Sequence, residues 1–442
     1  MIFVTASIFF AGYRASQRYA FPSKTFDFSN SGMSDFHNGA YFPSKAFRDG
    51  VNPYSLEVCE RYPMARSTPP YSPVVFLLYL PLTWLDLPFA DIVFFAVNVG
   101  LMGWLAWFCV GMIRSRIERQ SNTDALLEWF GSDFTASLWL FGWMMFSRPG
   151  HITIFTGYFT LQLVIGTVLA MHFARTRPWI SAIGMLLASG KPTYIIPLVI
   201  LMLARKQFRA VGLGLALCAV VAAGGLGWLA WHADFQSVVA GIQEGQEAFD
   251  NDPTEDPVNT WTRLDTMGVV AKLAAWKPDG TMYLAGMLVL LAPVSWLLWN
   301  STSQAITSDV VEDIAERDPT GASNSSGIDW QAHVCYLALL ISIYHHSYDA
   351  LLASVSWAAL VLGGSTILPG LVSRWLHRAL VLLLTIPAVN YVATLRFRDL
   401  MGVDNQSVIW NAVTSLNGVC LLSALILLMW VGWNSTTRSN RG

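Results

Sequence analysis

The chain has 442 residues, of which 54% are hydrophobic and only 13% charged, with 19 Trp and 25 Phe. Soluble domains carry about a quarter charged residues, so this composition excludes an ordinary water-soluble globule and leaves no room for a separate soluble enzyme domain. A formal net charge of -2 and the lack of a Lys/Arg-rich run leave no nucleic-acid partner to consider.

Residues 1–12 are apolar, without a basic start or a small-residue cleavage site, and read as an anchor helix rather than a signal peptide. A polar stretch, 13–70, follows and is too rich in Ser, Pro, Asp and Arg to sit in lipid. Membrane helices are then predicted at 71–87, 88–113, 127–147, 157–174, 179–189, 192–204, 210–232, 282–299, 331–345, 350–365, 379–395 and 409–433. Four blocks, Val211 to Trp231, Met282 to Trp299, Ala379 to Val392 and Val413 to Val431, hold no charged side chain. Their lengths, up to about 20 residues, suit about 30 Å of hydrocarbon. The expectation is an all-α integral membrane protein of about 10–13 transmembrane helices. It forms one membrane domain: first loop 13–70, helical core 71–232, second loop 233–281 and C-terminal helices 282–442.

Within this series 179–189 and 192–204 are short, which predicts broken helices around Gly190-Lys191-Pro192. Irregular backbone at membrane depth is tolerated where it lines a cavity or packs on protein. Residues 300–330, with Asp309, Glu312, Asp313, Glu316 and Asp318, read as a solvated linker. The five scattered cysteines, Cys59, Cys109, Cys218, Cys335 and Cys420, read as small core hydrophobes rather than a disulfide or zinc framework.

Basic residues near helix ends mark the cytoplasmic side. Arg114, Arg116 and Arg119 form one group, Arg175 and Arg177 another, and Arg205, Lys206 and Arg209 a third; Arg374, Arg378, Arg438 and Arg441 complete the set. With these inside, loops 13–70, 148–156, 233–281 and 346–349 face outward. Two full crossings at 71–87 and 88–113 would place Arg114 on the wrong side, so either 71–87 dips in without crossing or a boundary differs.

The first loop holds the densest polar and aromatic run, Ser34-Asp35-Phe36-His37-Asn38-Gly39-Ala40-Tyr41, then Asp49-Gly50-Val51-Asn52-Pro53-Tyr54. Asp35, Asn38 and Tyr41 are three apart, so neighbours would share a helix face. A carboxylate in a partly desolvated cleft above the bilayer is suited to take a proton from a sugar hydroxyl; on residue type alone, Asp35 is equally a helix cap or a surface residue. A second cluster, Tyr344-His345-His346-Ser347-Tyr348-Asp349, ends a late helix, and ionisable residues at that depth are functional candidates. His345 and Asp349, four apart, could pair on a helix face; the other reading is an interfacial His/Tyr belt. No metal set is visible, since binding needs three or more convergent ligands, and no cofactor is called for. Residues 259–273 read as an amphipathic segment on the outer surface, anchored by Trp261, with Arg263 free to pair with Asp265.

The run Asp35 to Tyr54, the Pro69-Pro70-Tyr71-Ser72-Pro73 element and Lys191-Pro192 resemble the polyprenol-phosphate-dependent glycosyltransferases of the type C class, glycosyltransferase family 87, which includes bacterial mannosyltransferases. The family's Gly-Gln loop is degenerate here, as Arg148-Pro149-Gly150-His151 and Gly157-Tyr158. The resemblance covers residues 30–210 and implies a type C bundle in the plasma (inner) membrane, with its active site on the extracytoplasmic face. It implies Asp35 as catalytic base and transfer of a hexose, mannose being the commonest choice, from a polyprenyl-phosphate sugar donor, with inversion. The acceptor would be a glycolipid, a glycan or a protein. A leaving phosphate needs positive charge or hydrogen-bond donors, which makes Lys191 and Arg148 candidates, although a lysine beside a helix break can also snorkel to headgroups. Asn38, Tyr41, Tyr54, His345, His346 and Asp349 are the candidate acceptor or substrate contacts. A transporter or lipid flippase is the alternative, since broken helices also build midplane binding sites; no inverted repeat is visible.

Overall fold

The computed structural model describes residues 2–17, 19, 32–64, 71–120, 125–252, 255–315, 330–364, 368, 373–404 and 407–439. Among these the chain is mostly helical, and the only β pairings are two isolated bridges, Tyr19 with Gly32 and Arg263 with His346. The expected all-α membrane architecture is present.

Four helices among the described residues are long and apolar enough to cross a bilayer: Leu87–Glu118, Phe208–Ala233, Gly280–Ser303 and Val408–Ser435. The shortest has 24 residues, which at 1.5 Å per residue gives about 36 Å, more than the roughly 30 Å of hydrocarbon. Only 22% of the apolar window of Phe208–Ala233 is buried within the protein. Val220, Val289 and Ile426 are among the exposed side chains of these helices, and hydrocarbon is the medium that such faces require.

The shorter apolar helices include Thr160–Phe173, Pro178–Ala188, Pro192–Ala204 and Trp330–Ser342, of which the first and last are the most deeply buried. Trp330–Ser342 is buried from Gln331 through Ser342, as expected of a helix apolar all round. Thr160–Phe173 and Pro178–Ala188 meet through glycines; a Cβ on Gly166 would lie 2.6 Å from the Gly184 carbonyl oxygen, so neither position admits a side chain at this separation.

The predicted break lies between Pro178–Ala188 and Pro192–Ala204. Lys191 is extended, with φ -125° and ψ 119°, the conformation that a following proline favours. The segment predicted at 71–87 is the short run Pro73–Trp84. Its helical reach is at most about 20 Å, less than the roughly 30 Å of hydrocarbon.

One sequence expectation is corrected. Residues 300–315 are not linker but the continuation of helix Gly280–Ala315, because they lack the Pro and Gly that stop a helix; Glu316 and Asp318 lie outside the described residues. The loop 233–281 carries two helices, Phe235–Asp250 and Thr266–Ala274. Each is capped by an aspartate, Asp234 and Asp265, whose carboxylate accepts from first-turn N–H groups.

Candidate active site

Stretches distant in sequence enclose a cavity of about 640 Å³. The first-loop helix supplies Asp35 and Asn38, the helix break Lys191, the second loop Glu255 and Arg263, and the late loop Tyr344, His346 and Tyr348. A volume in this range suits a small-molecule ligand.

Asp35 stands in the first turn of a helical run that begins at Ser34, where the helix dipole favours a carboxylate. The start of that run is pinned twice. Met33 adopts a left-handed conformation (φ 62°) and donates its N–H to the Phe155 carbonyl at 2.8 Å. Gly157, at φ +74°, lies so close that a Cβ there would come within 2.7 Å of Phe36 Cβ. From His37 to Tyr41 the helix widens into a π turn, a distortion common at functional sites. Asn38 stays on the cavity wall, its amide donating to the Ser34 carbonyl at 2.9 Å. The wider turn rotates Tyr41 away from the face shared by Asp35 and Asn38; its hydroxyl donates to the Leu85 carbonyl at 2.8 Å. His37 turns inward and meets Asp91 of the first long helix at 2.8 Å.

Lys191 does not snorkel. Its side chain is 4% exposed, and Nζ meets Asp349 Oδ2 at 2.9 Å. Asp349, fully buried, also accepts from the Tyr194 hydroxyl at 3.0 Å and from the His346 N–H at 2.9 Å. The rings of Tyr158, Tyr194, Tyr344 and Tyr348 surround the ammonium at 5.6 to 5.9 Å, so cation–π attraction adds to the ion pair. The expected helical pairing of His345 with Asp349 does not form. The helix ends at Ser342; His345 faces away from the cavity, with Nδ1 on the Ile343 carbonyl and its ring edge-on to Tyr194 at 4.8 Å.

The second loop closes the cavity on the other side. Leu264 N–H donates to the His345 carbonyl at 3.0 Å beside the Arg263–His346 bridge. Arg263 forks onto Asp265 at 2.7 and 2.8 Å, bonds the Tyr283 hydroxyl at 3.0 Å and lies over the Tyr344 ring at 4.4 Å. Burial alone would raise the Asp265 carboxyl; the guanidinium beside it outweighs that and holds it below the usual carboxylate range. His346 accepts or donates at both ring nitrogens, to Thr262 Oγ1 at 2.6 Å and to the Tyr344 hydroxyl at 2.7 Å, and the Tyr344 hydroxyl also reaches Glu255. Burial pushes the His346 imidazole down to about 4 against the opposing pull of Glu255, so the ring is neutral at physiological pH.

Two further candidates stand outside the lining. Tyr54 donates to the Tyr71 carbonyl at 2.6 Å and so holds a cavity residue from behind. Arg148 is completely buried, bonds the Ala393 carbonyl and lies 5.7 Å over the Trp261 ring; burial pushes its guanidinium down to about 10, still charged at neutral pH. Glu255, Tyr344, Tyr348, Tyr71 and Tyr158 join the lining without having been singled out as site residues. The Tyr344-to-Asp349 run was the sequence signal for two of them; Glu255 carried none.

No curated protein and no solved structure matches this chain. The model of glycosyltransferase family 87 matches residues 70–311, more than half of the chain and a stretch that includes Lys191, Glu255 and Arg263. With its apolar helices and this match, the chain belongs to glycosyltransferase family 87 and is a membrane glycosyltransferase.

Proposed function

We propose that the cavity transfers a hexose, mannose being the family's commonest, from a polyprenyl-phosphate sugar to a hydroxyl of an extracytoplasmic glycolipid, glycan or protein, in the plasma membrane. The observation that carries this reading is that one cavity is lined by both the Asp35 carboxylate and the Lys191 ammonium, among tyrosine rings. Asp35 takes the proton of the acceptor hydroxyl. The acceptor oxygen forms its bond to the anomeric carbon as the bond from that carbon to the phosphate oxygen breaks, and polyprenyl phosphate leaves with the electron pair. A single displacement inverts the anomeric configuration. Lys191 donates one of its three N–H bonds to Asp349 and has two for the leaving phosphate, which supplies the preorganised positive charge this step needs. The tyrosine rings offer apolar faces to the sugar's C–H groups. Arg148, away from the lining, takes no part in the step.

The test is Asp35→Asn in full-length protein reconstituted in liposomes with a labelled polyprenyl-phosphate mannose and an alkyl mannoside acceptor. Transfer falls by at least about 100-fold, the lower range for a general base, with the thermal transition unchanged. Undiminished transfer by the folded variant removes Asp35 as base.

A further inference from the structure

Glu255 lines the cavity from the second loop with its side chain 11% exposed. Its carboxylate accepts from the Tyr344 hydroxyl and lies 3.6 Å from His346 Nε2. His346 is anchored in turn by Thr262 and by the backbone bridge to Arg263. A carboxylate held in this way at a cavity wall has a fixed position, and a charged acceptor bonds neutral hydroxyls strongly.

Glu255 and Lys191 meet Tyr344 at different places. Tyr344 presents its hydroxyl to Glu255, while the Lys191 ammonium lies 5.8 Å from the centre of the same ring. A phosphate drawn to Lys191 is repelled by Glu255. The ring addressed by Glu255 is therefore the one that carries no phosphate. Resting on the proposed transfer reaction, we propose that Glu255, positioned by Tyr344 and His346, is the specificity-determining contact for the acceptor sugar, accepting hydrogen bonds from its ring hydroxyls. The same carboxylate selects an uncharged sugar at the transfer end and rejects one bearing its own carboxylate or phosphate. The selectivity arises from unlike costs: a hydroxyl satisfies the buried carboxylate, whereas a uronate places like charges together in a site of low dielectric.

The experiment uses the full-length protein in liposomes with polyprenyl-phosphate mannose and, as acceptors, an alkyl mannoside and an alkyl glucuronide. For Glu255→Gln the KM for the alkyl mannoside rises about tenfold, the loss expected of a charged hydrogen bond, while the KM for the donor stays within about twofold of wild type. The preference for mannoside over glucuronide shrinks by a similar factor. Glu255→Asp, which keeps the charge, retains that preference. Direct binding of both alkyl glycosides, followed by tryptophan fluorescence, reads the same contact without turnover. An unchanged acceptor KM and binding constant in Glu255→Gln overturns the proposal, as does an equal rise in donor and acceptor KM, which marks a purely structural role for the loop. Wild-type protein that binds the mannoside through Glu255 yet transfers nothing from any polyprenyl-phosphate sugar sinks the reaction and leaves the contact standing.

Discussion

Lys191 and Asp349 face each other at 2.9 Å across 158 residues of sequence, both buried, and so join the helix break to the late loop on one wall of the cavity. The pair is both a structural tie and a charged feature of the site, and the two roles separate by mutation.

Replacing one partner, as in Lys191→Met, leaves an unpaired buried charge and destabilises the protein by about 3–5 kcal/mol. The double variant Lys191→Met/Asp349→Asn recovers part of that stability, since both charges go while an amide oxygen stays for the Tyr194 hydroxyl or the His346 N–H, but not the transfer activity. Thermal unfolding in detergent beside a transfer assay reads both; a double variant with wild-type turnover assigns the lysine to architecture alone.

Gly157 sets the seat of Asp35 without touching it. Gly157→Ala puts a Cβ within 2.7 Å of Phe36 Cβ and at a φ of +74° that L-residues adopt at a cost of about 1–2 kcal/mol. The expected outcome is a fall in kcat larger than the loss in stability explains, because the Asp35 helix is displaced. A kcat equal to wild type shows that Phe36 yields instead.

Arg263 grips Asp265 with two parallel bonds while lying over Tyr344. Arg263→Lys offers a point charge in place of a planar fork and cannot do both. Hydrogen exchange over residues 255–265 rises in this variant, and the KM for the acceptor rises with it. Exchange indistinguishable from wild type shows that the loop is held by its backbone bridge alone.

Lys272, in helix Thr266–Ala274, is 3% exposed. Burial first, then neighbouring Arg263, pushes its ammonium down to about 7, whereas an unfolded lysine titrates near 10.4. Between those values the unfolded chain binds more protons than the folded one, so stability rises as pH is raised from 7 towards 10. The slope approaches about 1.4 kcal/mol per pH unit in mid-window. Unfolding measured at pH 7, 8, 9 and 10 shows this rise in wild type and its loss in Lys272→Met; parallel profiles contradict it.

The membrane class was legible in composition because it depends on sums over many residues. The break at Lys191 was legible because proline acts on its immediate neighbour. Asp35 and Asn38 were found from local density of polar residues, and both line the cavity. Tyr41 was misplaced because a π turn is not written in residue spacing, and His345 because the helix stops at Ser342 before a pairing four apart can form. Glu255 and the partner of Lys191 were invisible for a different reason. Their contacts cross 89 and 158 residues respectively, and no short-range pattern encodes them. Residues 300–315, acidic and uninterrupted by proline or glycine, looked like linker by charge yet satisfied every requirement of a helix.

The bond from Thr262 to His346 joins positions 84 apart in the chain. During synthesis the first two-thirds of the protein can enter the bilayer and pack, yet the pocket lacks a wall until the ribosome has delivered Asp349. A chain that stops before the late loop lacks Asp349 as the anchor of Lys191 and Tyr344, His346 and Tyr348 of the lining, so the cavity stays open on that side.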